Sequence, residues 1–111
     1  MLSSSIKNNK EFKKAYRSNL NYVSRNFVVY AFKNNFDENR LGITVSKKVG
    51  NAVKRNRARR IIKEAYRFIE NEIECCYDIV IVARSGCKNS KSTILIKELI
   101  YSMRKIKIYN D

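Results

Sequence analysis

Apolar positions along this chain follow two rhythms. Over Asn26–Lys33, NFVVYAFK, β-branched and aromatic residues run unbroken, so Phe27, Val29 and Ala31 face one way and Val28, Tyr30 and Phe32 the other. Both faces are apolar, which predicts a strand at least partly covered on both sides. Arg40–Ser46 alternates, with Leu41, Ile43 and Val45 directed to a core. Gly42, Thr44 and Ser46 then point outward, small enough to leave a groove for a ligand. The polar KNNFDEN at Lys33–Asn39 reads as a hairpin loop joining these strands. Tyr77–Arg84 is apolar on both faces at Ile79–Val82 and predicts a buried strand, and Asn19–Arg25 a further short one.

The second rhythm is helical. Asn8 followed three residues later by Glu11 has the form of a capping box and predicts a short helix over about Asn9–Arg17, with Phe12, Ala15 and Tyr16 on one face. From Ala52 to about Ile73 a long helix is predicted, with Ala58, Ile61, Ile62, Ala65, Phe68 and Ile69 in an arc about 120° wide. A last helix over about Lys91–Lys105, capped by Ser90 or Ser92, carries Leu95, Leu99 and Met103 as its core stripe. The tail Lys107–Asp111 is expected to fray. Helix, hairpin, long helix, strand, helix make one α/β domain over residues 1–111: a two-layer sandwich with a mixed sheet of about four strands and three helices packed mainly on one face.

Charge changes this picture most on the long helix. Asn56, Arg59, Arg60, Lys63 and Arg67 fall in an arc about 100° wide opposite the apolar stripe, flanked by Arg55 and Arg57. Lys47–Arg67 holds nine basic residues and one acid, Glu64. A solvated helix face usually mixes signs, with acids four residues before bases; the five central positions here carry no acid. Guanidinium forks match phosphate oxygens and keep their charge near neutral pH. The whole chain has a formal net charge of +14, which points to a polyanion, nucleic acid before anionic membrane. A basic amphipathic helix acting on membrane is disfavoured because so small a domain needs the apolar stripe for its core.

Catalytic chemistry finds little support. The chain has no histidine, so a Ser-His or Cys-His pair and a histidine base are excluded. Cys75, Cys76 and Cys87 have neither zinc spacing nor a disulfide framework and read as buried or half-buried thiols in a reducing compartment. Glu70, Glu72, Glu74 and Asp78 gather after the long helix; they read as solubilising residues that keep a polyanion off that end rather than as a metal site. No apolar run is long enough to span a bilayer, and MLSSSIKNNKEF lacks the apolar stretch of a signal peptide, which together predict a cytoplasmic location.

The run Ser46-Lys47-Lys48-Val49-Gly50-Asn51-Ala52-Val53-Lys54-Arg55-Asn56-Arg57 resembles the signature of the bacterial ribonuclease P protein family: a strand ending in S-K-K, a Gly-Asn-Ala-Val turn into a helix, then R-N-R and further basic residues. Size and element order fit that family from end to end. The resemblance implies a left-handed β-α-β crossover, although most crossovers are right-handed. It implies an RNA-binding subunit with no catalytic residue of its own. A catalytic RNA subunit, with magnesium bound mainly by that RNA and no organic cofactor, removes the 5′ leader of precursor tRNA. Lys47, Lys48, Arg55, Asn56, Arg57, Arg59, Arg60, Lys63 and Arg67 would then contact the ribozyme, and no residue would hold a metal, although Asn56 is left open between a ribose or base edge and a metal ion beside the RNA. Phe12, Tyr16 and Tyr30 would line a cleft for the single-stranded leader, against the alternative that they fill the core. A dimeric holoenzyme stays open, as does the reading as a basic ribosomal or DNA-binding protein without a processing role.

Overall fold

A computed structural model describes residues 3–6 and 8–110, apart from the side chains at 88 and 89. Its elements are β1 (Ser4–Ser5), α1 (Asn9–Tyr16), β2 (Leu20–Val23), β3 (Phe27–Lys33), β4 (Arg40–Val45), α2 (Ala52–Ile69), β5 (Tyr77–Ala83) and α3 (Ser92–Lys105). The start of α1 follows the sequence signal: Asn8 Oδ1 accepts from the Glu11 amide at 3.0 Å, and Asn8 Nδ2 donates to Glu11 Oε1. The entry to α2 is built in the same way. Asn51 Oδ1 accepts from the Lys54 amide at 3.0 Å, and Gly50 before it has φ 146°, a conformation that suits glycine. The start of α3 differs from expectation. Lys91 is its cap residue and no side chain caps it; the Ser90 carbonyl accepts from the Arg57 guanidinium, and Ser92 lies inside the helix.

The sheet runs β1-β4-β5-β3-β2, one strand more than the pattern suggests, because two-residue β1 is too short to leave a periodic signal. The expected hairpin of β3 with β4 does not form. β5 lies between them, antiparallel to β3 and parallel to β4. Ile79, Val80 and Ile81 are wholly buried, and a strand apolar on both faces gains most from the middle of the sheet. The loop over 34–39 needs to span only two strand spacings, roughly 10 Å, well within its reach. The hairpin that does form joins β2 to β3. β4 returns to its parallel neighbour β5 through α2, so the long helix is the crossover.

One face of the sheet packs on α2 and α3. Phe27, Val29, Ala31, Ile79 and Ile81 meet Ala58, Ile61, Ile62, Ala65, Tyr66 and Ile69 of α2 and Leu95, Leu99 and Met103 of α3. Two positions on α2 exchange roles relative to expectation: Phe68 is 75% exposed, and Tyr66 is wholly buried. The buried arc centres between Ala58 and Ile69, which puts Phe68 just beyond one edge and Tyr66 at the other. The Tyr66 hydroxyl is satisfied by Ser3 Oγ at 2.8 Å, and burial pushes its pKa up to about 12. The other face carries a smaller cluster of Ile6, Ala15 and Val80 beneath α1.

Two further expectations change. The tail is held as far as Asn110: Ile108 is buried, the Glu74 amide donates to its carbonyl at 2.8 Å, and Tyr109 bridges to Ile73; Asp111 lies outside the described residues. Two of the four gathered acids are not solvated. Glu70 pairs with Arg67 at 2.7 Å and Asp78 is buried against Arg40. Cys87 is a buried free thiol, and Cys75 and Cys76 sit side by side just before β5.

Burial pushes the Cys87 thiol up to about 11 from an ordinary 9.0. The unfolded chain therefore loses this proton first as pH rises, and folding stability falls above about pH 9. Urea titrations should show a stability plateau below pH 9 and a loss on the order of 1 kcal/mol by pH 10 to 11, with Tyr66 adding to it at higher pH. Cys87→Ala should remove most of the slope just above pH 9, and an unchanged slope would assign it to other groups.

Candidate nucleic-acid interface

The basic face of α2 divides into free and engaged groups. Arg59, Arg60 and Lys63 are exposed, as are Asn56 and, in the 3-10 turn before the helix, Lys47 and Lys48. Among the described residues none of these six carries an ion pair, although Arg59 Nη1 makes a long 3.4 Å contact with Asn56 Oδ1. Arg55, Arg57 and Arg67 are half-buried and partly used by the fold. Arg55 donates to the Gly50 carbonyl at 3.1 Å and Arg57 to the Ser90 carbonyl at 3.2 Å. Arg67 pairs with Glu70 and donates to the Ser3 carbonyl at 3.3 Å. A guanidinium has five donors, so each of these keeps capacity for a ligand, but Arg67 has already lost much of its net charge to Glu70.

The aromatic set converges on the second face of the sheet. Tyr16 and Tyr30 meet edge to face at 5.2 Å and 74°, and Phe12 and Tyr16 lie 6.5 Å apart. Tyr16 is 40% exposed, while Phe12 and Tyr30 are half-buried against the small cluster around Val80. They are therefore neither core residues nor free ones: each rests on the sheet and shows an edge to solvent. At Gly42 the space directly over the strand is taken by an aromatic ring. A Cβ there would meet the Phe12 ring at 2.6 Å, so glycine is what allows the ring to settle on β4. The neighbouring small residue, Thr44, holds the Tyr16 hydroxyl at 3.1 Å.

Arg40, which the sequence pattern does not mark, ties this face together. Its Nε donates to Asp78 Oδ1 at 2.7 Å, and its guanidinium also pairs with Glu11 on α1. The hydrogen bond to Asp78, with that to Glu11, holds the guanidinium firmly charged against its burial. One cation thus fixes β4 to β5 and anchors the helix carrying Phe12 and Tyr16. Asn34 Nδ2 donates to the same Asp78 carboxylate at 3.0 Å, which joins the β3–β4 loop to the network.

The two predicted surfaces meet. A groove of about 200 Å³ crosses the β4 edge between α1 and α2, with Phe12 and Gly42 on one side and Arg59, Lys63 and Arg67 on the other. Among the described residues no group of three or more histidine, cysteine or acidic side chains could hold a metal ion, and no helix is long and apolar enough to cross a membrane.

Comparison with known proteins gives this arrangement its context. The family model for ribonuclease P matches residues 2–107. The chain belongs to the ribonuclease P protein family. It is 39% identical to the ribonuclease P protein component of Alkaliphilus metalliredigens, with 93% of each chain covered. It is 40% identical to that of Clostridium botulinum over 99% of this chain and all of the relative. Among solved structures, the Staphylococcus aureus RNase P protein superposes with a TM-score of 0.84 at 34% identity, covering 98% of this chain and 100% of that one. The Thermotoga maritima protein gives 0.81 at 25% identity, covering 94% and 98%. The mixed sheet and three helices described above are those of the ribonuclease P proteins.

The close seat of Phe12 on Gly42 has a direct test. Gly42→Ala should displace the ring and α1, cost about 1–3 kcal/mol in urea unfolding and weaken any ligand held by the aromatic set. Wild-type stability in that variant would mean that the ring rotates aside without loss.

Proposed function

We propose that the chain divides the work of a ribonuclease P protein subunit between two surfaces of one groove. In that reading it assists a catalytic RNA in removing the 5′ leader of precursor tRNA. Arg59, Arg60 and Lys63, with Lys47, Lys48 and Asn56, hold phosphates and sugars of the catalytic RNA, with Arg55, Arg57 and Arg67 contributing their remaining donors. Phe12, Tyr16 and Tyr30 receive bases of the single-stranded leader. The observation that carries this reading is the groove itself, which brings Phe12 of the aromatic set opposite Arg59 and Lys63 of the basic face, with the Glu70-paired Arg67 beside them. Stacking on aromatic rings accepts any base, and phosphates on the basic wall fix the strand without reading sequence.

Hydrolysis belongs to the RNA in this proposal. Two of the gathered acids, Glu70 and Asp78, are committed to arginines within the fold, so these carboxylates are not poised to activate water. Magnesium would be held mainly by RNA, where phosphate oxygens supply the hard ligands it prefers. The location would be the cytoplasm, where precursor tRNA is made. A ribosomal or DNA-binding role would use the same basic helix but has no call on the aromatic wall. Reconstitution separates these readings: added to a bacterial ribonuclease P RNA at low magnesium, the chain should restore leader cleavage, and failure to do so would remove the processing role.

The basic wall predicts salt behaviour. Arg59→Ala with Arg60→Ala should weaken affinity for the RNA subunit and lower the slope of log affinity against log salt by roughly one to two. The fold should survive, since both side chains are exposed. Unchanged affinity with an unchanged slope would move the RNA surface elsewhere.

The aromatic wall predicts a different loss. Tyr30→Ala should leave affinity for the RNA subunit nearly intact and reduce the preference for precursor over mature tRNA, by roughly five- to a hundredfold for one lost stack. Because Tyr30 is half-buried, melting temperature must be measured on the same variant. A folded variant with normal discrimination would release Tyr30 from this role.

A further inference from the structure

Phe68 is the most exposed aromatic residue among those described, at 75%, and no ring or cation stacks on it there. Two other exposed rings have company: Phe36 lies under Arg40 at 4.4 Å, and Tyr101 meets Tyr22 edge to face. Phe68 instead forms one side of a shallow, open depression with Arg60, Lys63, Glu64 and Arg67. Lys63 and Arg67 line this depression and the Phe12 groove alike, so the basic ridge of α2 has an aromatic on each flank.

We infer that Phe68 is a stacking platform for an unpaired base of the RNA held by α2, a second aromatic site distinct from the leader groove. This rests on the reading of α2 as the RNA-binding face. A bare ring beside three cations suits a ligand with a π-face on a phosphate backbone, because stacking takes the base while the cations take the flanking phosphates. A second copy of this chain suits the patch poorly, since it would bring another body of net charge +14 against the same cations. Glu64 is the one acid of the depression. A carboxylate only accepts hydrogen bonds, so it favours a base whose edge carries an amino group, such as cytosine, over uracil.

The chain has no tryptophan, so Phe68→Trp introduces a single fluorescent reporter at the site. Titration of that variant with bacterial ribonuclease P RNA should quench its emission at one equivalent. Phe68→Ala should bind the same RNA roughly five- to a hundredfold more weakly with an unchanged salt slope, because a stack neutralises no phosphate. Short oligo(C) should quench Phe68→Trp at lower concentration than oligo(U), and Glu64→Ala in the same background should erase that difference. Equal quenching by both strands would overturn the part given to Glu64. Tight RNA binding by wild type with no quenching, and full affinity in Phe68→Ala, would overturn the stacking site and leave the basic face standing. Failure of wild type to bind the RNA would overturn both. Loss of self-association in Phe68→Ala by sedimentation, with RNA affinity kept, would reassign the ring to a contact between copies and end the proposal.

Discussion

The central place of β5 is the constraint on which the rest of this structure depends. A strand apolar on both sides has to be covered on both sides, and each cover then presents its own outer surface. The larger cover, α2 with α3, buries one face and is long enough to carry a second surface on its back. The smaller cover, α1, has only eight residues and shields the other face in part. What α1 leaves half-covered is Tyr30, with Val28, Val82 and Thr44 beside it. Because α2 leaves from β4 and returns to β5, its exposed side rises next to α1 across the β4 edge. Sheet order therefore brings the basic and aromatic walls together, although their residues lie some thirty to fifty positions apart in the chain.

One acid at the edge of β5 secures that arrangement. Asp78 is buried and would be costly as a lone charge, but Arg40 pairs with it and Asn34 donates to it. Removing one partner of a buried pair typically costs about 3–5 kcal/mol, more than the pair adds over an apolar replacement. The network is thus better understood as fixing geometry than as a net source of stability. Through Glu11 it fixes the angle at which α1 presents Phe12 and Tyr16.

The same economy explains how a chain of net charge +14 keeps one face so uniformly positive. Five of its ten acids are tied inside the fold or at its seams: Glu11 and Asp78 by Arg40, Glu70 by Arg67, Glu98 by Ser24 and Asn26, and Glu38 by Ser4. These five acids serve as acceptors within the fold, while Lys47, Lys48, Arg59, Arg60 and Lys63 remain outside. The resulting field steers a polyanion from a distance and is screened by salt, so association should be fast and ionic-strength dependent. Repulsion along α2 is borne by its packed face, with Ile61, Ile62, Ala65, Tyr66 and Ile69 all buried.

How much of this was legible in sequence depends on whether the signal was local. Period and capping residues are local, and they located α1, β3, β4, α2, β5 and α3 closely. The ribonuclease P signature lies in one run across the entry to α2, which made the family readable before any fold was known. Strand order is not local: nothing in KNNFDEN says whether the loop turns back on its neighbour or steps over a strand still to come. Arg40 and Asp78 looked like a strand-end base and a solubilising acid, because pairing across 38 residues leaves no periodic trace. The tail read as frayed because its partners, Ile73 and Glu74, lie far back in the chain. Phe68 shows the limit most clearly. A helical wheel can define an apolar arc but not its centre to better than about 20–30°, since neighbouring elements set the rotation. At Phe68 that small angle separates a core residue from an exposed ring on the flank of the basic ridge.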